Sequence, residues 1–151
     1  MNYKKKVLVI SPGIPYPPID GHKLKIYNLL KILQIDYDVD LVVVTNETLN
    51  AEAEAFLKET CKEYSIFHFS KLSFFFNLIK ALLNPKLPFQ VAYYTFNKVK
   101  KHLKTKPHPD YIFFNLIRTV GYIELFDKNK VVLDLVDSIR PYCLFPEKHW
   151  I

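Results

Sequence analysis

Glycine is scarce in this chain: Gly13, Gly21 and Gly121 are the only three in 151 residues. Neither G-x-G-x-x-G nor G-x-x-x-x-G-K-[ST] occurs, which argues against a nicotinamide-dependent enzyme and a P-loop nucleotidase. Cysteine is scarcer still. Cys61 and Cys143 lie far apart and show no metal-ligand spacing, so each is expected to be an isolated thiol in a reducing compartment. The five histidines (His22, His68, His102, His108, His149) form neither H-x-x-H nor H-E-x-x-H, and no metal site is expected. A G-x-S-x-G nucleophile motif is also missing. Long apolar runs are lacking too: the greasiest segment, Leu72–Leu83, is interrupted by Asn77 and Lys80. It falls short of the roughly 18 residues that span a bilayer. The basic opening Met1–Lys6 is followed by an apolar run that breaks at Ser11-Pro12-Gly13, too short for a signal core. A cytoplasmic protein is expected.

What is present is a core. Half the chain is apolar and 15% aromatic, enough for one packed domain rather than a disordered segment. Candidate strands are Lys6–Ser11, Val39–Thr45, Ser65–Phe69, Tyr111–Asn115 and Val131–Val136. Between and after them fall candidate helices Gly21–Gln34, Asn50–Glu63, Leu72–Leu83, Tyr93–Lys104 and Val120–Phe126. Apolar strands alternating with helices predict an α/β fold, a doubly wound Rossmann-like parallel sheet of order 3-2-1-4-5. The formal net charge is +6, with lysines densest at Lys4–Lys6, Lys23–Lys31 and Lys98–Lys106. Such a surface favours phosphates, acidic lipid headgroups or nucleic acid, and a solvated basic face is the plainer reading.

The richest stretch runs from Lys6 to Leu33. Val7–Ile10 is a continuous apolar strand, and Pro12, Pro15, Pro17 and Pro18 then hold the chain extended. Asp20 is suited to cap a helix whose Ile26, Leu29, Leu30 and Leu33 share one face. This loop belongs at the carboxyl end of the first strand, where open α/β sheets bind ligands. A helix amino terminus there offers free N–H groups to a phosphate. Gly21 permits close approach, and His22, Lys23 and Lys25 add donors. The alternative is a loop that only packs the sheet edge. Asp134 and Asp137, three apart at the end of the fifth strand, would project to opposite faces and so do not form a dyad. Leu72–Leu83, read as a helix, puts Phe75, Leu78, Ile79 and Leu82 on one face, widened by Phe74 and Phe76. With Lys71, Lys80 and Lys86 around it, that face could lie on an anionic membrane or cover the sheet.

SPGIPYPPIDGHKLKIYNLL (Ser11–Leu30) resembles the opening of family 4 retaining glycosyltransferases, where S-P-x-x-P-Y-P-P-x-x-G-G-x-x-R-x-Y-N-L-L is a familiar form. LPFQVAYYTF (Leu87–Phe96), FFNLIRTVGYI (Phe113–Ile123) and VVLDLVDSIRPY (Val131–Tyr142) continue the likeness in order. The resemblance implies the amino-terminal, acceptor-side domain of a GT-B enzyme. Such an enzyme transfers a sugar from a nucleotide sugar, with retention, to a polysaccharide or lipid-linked acceptor. It implies no metal and no cofactor beyond the donor substrate. It implies residues 1–151 as one domain, apparently truncated before a second Rossmann-like donor domain with an acidic E-x7-E motif, which nothing here matches. The fragment alone is then expected to be inactive. The resemblance brings Gly21 and its loop to donor phosphates or acceptor. It sets Arg118 in the cleft facing a phosphate or carboxylate, Asn115 near a sugar hydroxyl, and Asp137 at the acceptor edge or as a helix cap. His22, Lys25, Asn115 and Arg140 depart from the glycine, arginine, histidine and serine common at those places. The rival reading is a non-catalytic basic α/β module acting at a membrane surface or on an anionic partner. Nucleic acid is not expected as a partner, since no sheet-borne aromatic platform is evident. Nor does Ser11-Pro12-Gly13 supply the acidic cluster of a phosphoacceptor domain.

Overall fold

The computed structural model describes residues 4–83 and 88–135. Five strands, β1 (Lys5–Ser11), β2 (Tyr37–Thr45), β3 (Glu63–His68), β4 (Tyr111–Phe114) and β5 (Val131–Leu133), form one sheet. Its order is β3-β2-β1-β4-β5, and every pairing is parallel. This is the α/β, Rossmann-like arrangement that the strand and helix rhythm predicts.

Strand alternation divides the core in two. Val7 and Val9 of β1, with Val39, Leu41 and Val43 of β2, face α1 (Gly21–Asp36) and α2 (Ala51–Thr60), which contribute Ile26, Leu30, Phe56 and Leu57. Leu8 and Ile10, with Val42 and Val44, face the opposite way. There they meet Phe74 of α3 (Lys71–Leu83), Phe96, and Val99 and Leu103 of α5 (Asn97–Thr105). Because successive side chains point to opposite faces, a continuous apolar run such as Val7–Ile10 fills both layers.

The predicted helix Tyr93–Lys104 starts only at Asn97, as α5, and a short helix the sequence did not announce, α4 (Phe89–Tyr93), precedes it across a break at Tyr94–Phe96. Side chains stabilise the break by taking up backbone groups there. Asn77 Nδ2 donates to the carbonyl of Thr95 at 3.1 Å. Tyr122 Oη donates to the Tyr94 carbonyl at 2.5 Å and accepts the Phe96 N–H at 3.0 Å. The predicted helix Val120–Phe126 is a 3₁₀ helix spanning Ile117–Leu125. Its first turn is tightened by Thr119 Oγ1, which donates to the carbonyls of Asn115 and Leu116 at 3.2 and 3.0 Å. Asn50, predicted inside the second helix, is its N-cap: Oδ1 accepts the Ala53 N–H at 2.7 Å. That helix ends at Thr60, and Glu63, predicted as its last residue, opens β3. The fifth strand ends at Leu133 rather than Val136, the latter lying outside the described residues. Among the described residues, no helix is long and apolar enough to cross a membrane.

Candidate functional site at the carboxyl edge of the sheet

The chain leaves β1 toward one face of the sheet through α1, and enters β4 from the other face through α5. The carboxyl ends of β1 and β4 therefore flank the topological switch point. Ser11 and Asn115, both buried, form its floor. Asn115 Nδ2 donates to Ser11 Oγ at 3.1 Å, and Ser11 Oγ donates to the Gly13 carbonyl at 2.9 Å. The Asn115 N–H continues the ladder to the Ile10 carbonyl at 2.9 Å. Asn115 thus ties two strand ends, with its amide turned inward.

The proline-rich loop is anchored from below. Ile14 is buried in the α1/α2 core, and Tyr16 stacks on Phe56 at 5.9 Å between ring centroids. At the start of α1 the Asp20 carboxylate accepts the Lys23 N–H at 2.7 Å. That bond, more than the neighbouring His22, holds the Asp20 carboxyl below its ordinary value of 3.8. His22 Nδ1 lies 3.3 Å from the same carboxylate. Its Nε2 is buried beside Gly13 and has no hydrogen-bond partner among the described residues. Gly21 is open: a Cβ added there would meet nothing within 4 Å, so its backbone can be approached from solvent.

Both lysines of this turn are held in ion pairs. Lys23 Nζ sits 2.8 Å from Glu47 Oε1, and the other oxygen of Glu47 accepts the Ile14 N–H at 3.2 Å. The Glu47 N–H in turn donates to Thr45 Oγ1 at 3.0 Å. Glu47 therefore clamps the loop, the start of α1 and the end of β2 together. Lys25 Nζ reaches across the edge to both oxygens of Asp134 at 2.7 Å, the residue just past β5. Asp134 also donates its N–H to the Phe114 carbonyl at 3.0 Å. Lys23 and Lys25 thus shape the edge through carboxylate partners rather than standing as bare cations. Asp137 lies outside the described residues.

Arg118 follows a turn at Leu116, whose φ of 64° places a non-glycine residue in the left-handed region. This turn sends the 3₁₀ helix back across the sheet edge. The Arg118 guanidinium lies 6.0 Å from the Tyr94 ring centroid. Together with Leu78, Phe89, Gln90 and Tyr93, these two residues line a cavity of about 290 Å³. Burial pushes the Tyr94 phenol above its ordinary value, while Arg118 pulls it back and Glu47 adds a small upward push. Among the described residues no group of three or more His, Cys, Asp or Glu could hold a metal ion.

Gly21, His22, Lys23, Lys25, Asn115 and Arg118, singled out from the sequence, all lie at this edge, but Asn115, expected near a sugar hydroxyl, is buried and turned inward onto Ser11; Glu47, Ser11, Tyr94 and Gln90 were missed. Glu47 had a usable signal, standing two residues beyond β2 at a carboxyl end. Gln90 and Tyr94 carried none, because only the break between α4 and α5 brings them to Arg118.

No family model matches the chain. A protein of Klebsiella pneumoniae described as an uncharacterized 44.6 kDa protein in cps region is 26% identical over 108 residues, covering 71% of this chain and 26% of that protein. The chain thus spans about a quarter of the curated relative it matches. Among solved structures, the C-terminal domain of a hydrogenase from Pyrococcus furiosus superposes with a TM-score of 0.52 at 20% identity. That match covers 88% of this chain and 91% of the other, and what it shares is the fold.

Proposed function

We propose that the chain is the acceptor-side domain of a retaining glycosyltransferase that uses a nucleotide sugar and acts on a polysaccharide or lipid-linked acceptor. The observation that carries this reading is Arg118 beside Tyr94 in an aromatic-walled cavity at the switch-point edge. Pockets of this kind pair apolar walls with a few placed polar groups. The C–H faces of a sugar ring suit Phe89, Tyr93 and Tyr94, while Gln90 and the Tyr94 hydroxyl can bond ring hydroxyls. Arg118 supplies a planar, permanently charged fork for a phosphate or carboxylate on the acceptor. Across the edge, the exposed backbone of Gly21 offers itself to an anion at the start of α1, while His22, with Nδ1 against Asp20, belongs to the turn's own packing. Lys23 and Lys25 hold that turn in shape. The ordered sequence likeness supports the same reading, and the cps-region relative hints more broadly at polysaccharide biosynthesis. Catalysis belongs to a longer protein, in which a second, donor-binding domain closes over this edge.

The test uses the complete protein. Release of nucleoside diphosphate from a panel of nucleotide sugars is measured with a mixture of lipid-linked and polysaccharide acceptors. Arg118→Ala should lower kcat/KM roughly 10- to 100-fold, the loss of one or two charge-assisted hydrogen bonds, and Arg118→Lys should restore part of it. If the complete protein transfers no sugar from any donor in the panel, the reading fails.

A further inference from the structure

The layer containing α3, α4 and α5 carries two features that the proposed transfer reaction does not use. The first is an exposed apolar stripe. Leu72, Phe75, Phe76, Ile79 and Leu82 are 68, 54, 59, 37 and 62% exposed, and their spacing sets them along one side of α3. The helix docks to the core by its other side, through buried Phe74 and Ala81. The second feature is charge. Between Tyr64 and Pro109 the sequence contains eight lysines and no aspartate or glutamate. The rest of the chain carries thirteen Lys and Arg against fifteen Asp and Glu. All the excess positive charge of the protein therefore belongs to this segment. On α5, Lys98, Lys101 and Lys104 are exposed, opposite buried Val99 and Leu103. Because Phe74 and Phe96 touch at 5.0 Å and α3 and α5 rest on the same sheet face, stripe and lysines look outward from one layer.

We infer that this layer is a docking face for an anionic lipid surface. The side chains of the α3 stripe enter the headgroup and acyl boundary while Lys71 and the α5 lysines meet lipid phosphates. Complementarity selects this occupant over the others. A second copy of the same face would bring lysines against lysines with no carboxylate between them. A nucleic acid would satisfy the lysines and leave five large apolar side chains in water. A lipid surface takes up both, and it requires no spanning helix. The inference stands apart from the glycosyl-transfer reading, since it concerns a different face and needs no donor or acceptor.

The experiment is co-sedimentation of the complete protein with phosphatidylcholine vesicles, with and without 30 mole per cent (roughly one lipid in three) phosphatidylglycerol, in the absence of nucleotide sugar. Binding should be at least tenfold tighter to the anionic vesicles and fall steeply with added salt. Phe76→Ser with Ile79→Ser should weaken it about tenfold or more, and so should Lys98→Glu with Lys101→Glu. These side chains are exposed, and unchanged thermal unfolding of each variant confirms that the fold is kept. Equal binding to neutral and anionic vesicles, or binding indifferent to the α3 substitutions, overturns the inference. So does reversible self-association that Phe76→Ser abolishes, or binding to a single-stranded oligonucleotide in place of vesicles. Because no sugar transfer is measured, a failure here leaves the proposed reaction untouched, and the reverse also holds.

Discussion

A single hydroxyl decides the shape of the cavity wall. Tyr122 is fully buried, yet its Oη bonds both the Phe96 N–H and the Tyr94 carbonyl. These are backbone groups left free where α4 stops and α5 begins. Burial pushes the phenol well above its ordinary value, so it stays protonated and keeps its donor role. Tyr122→Phe keeps the ring and leaves a buried N–H and a carbonyl without their partner, a loss of about 1–3 kcal/mol. Urea unfolding should show that loss as a lower midpoint at unchanged slope. The same variant should loosen Tyr94 beside Arg118. At this scale the sequence was only half legible. Asp20 and Gly21 could be placed by capping and turn chemistry, which are local rules. Glu47 and Tyr122 act on residues 33 and 26 positions away, and no local pattern announces such partners.

Elements were easier to foresee where the periodicity was long. The strands and α1 follow from apolar spacing that tertiary contacts reinforce, whereas α3 shows the same spacing in Phe75, Ile79 and Leu82 but leaves that face exposed and docks through Phe74 and Ala81. The misread elements are those where tertiary packing overrode local preference. Tyr93–Lys104 reads as one helix, but Thr95 turns its hydroxyl onto the Val91 carbonyl at 2.7 Å, and Asn77 and Tyr122 satisfy the broken ladder. Gly121 completes that junction. A Cβ added there would lie 1.9 Å from Thr95 Oγ1 and 3.2 Å from Val91 Cγ1, so the 3₁₀ helix can approach the α4–α5 turn only at a glycine. Gly121→Ala should destabilise the protein by about 1–3 kcal/mol through overpacking. Adding Thr95→Ala should recover part of that, measured as a non-additive double-mutant cycle. Recovery stays partial because the Thr95 Cβ remains 3.1 Å away and its bond to Val91 is lost.

At the scale of the whole molecule, the two ends of the sheet have separate tasks. The carboxyl edge gathers the candidate site. Toward the amino end are charged groups whose roles are structural: Asp40 in β2, the Lys106–Glu63 pair at 2.6 Å, and His102 on α5. His102 packs edge-on against Phe67 at 5.1 Å. Burial lowers its value below the ordinary 6.5, Lys106 lowers it further, and Glu63 partly opposes them. The unfolded chain therefore takes up a proton near pH 6.5 that the folded chain refuses until a lower pH. In that window the unfolded state binds more protons, so stability falls as pH falls. Above pH 6.5 both states hold a neutral imidazole, and the contribution of His102 to folding is fully present. Urea midpoints measured downward from pH 7 should drop faster for the parent than for His102→Gln, and the two curves should run parallel above pH 7. The comparison between them isolates His102 from Asp40, whose value burial raises and whose effect has the opposite sign. Parallel curves throughout would mean that the imidazole takes its proton in the fold as readily as in water, and that the layer over β3 is open to solvent at His102.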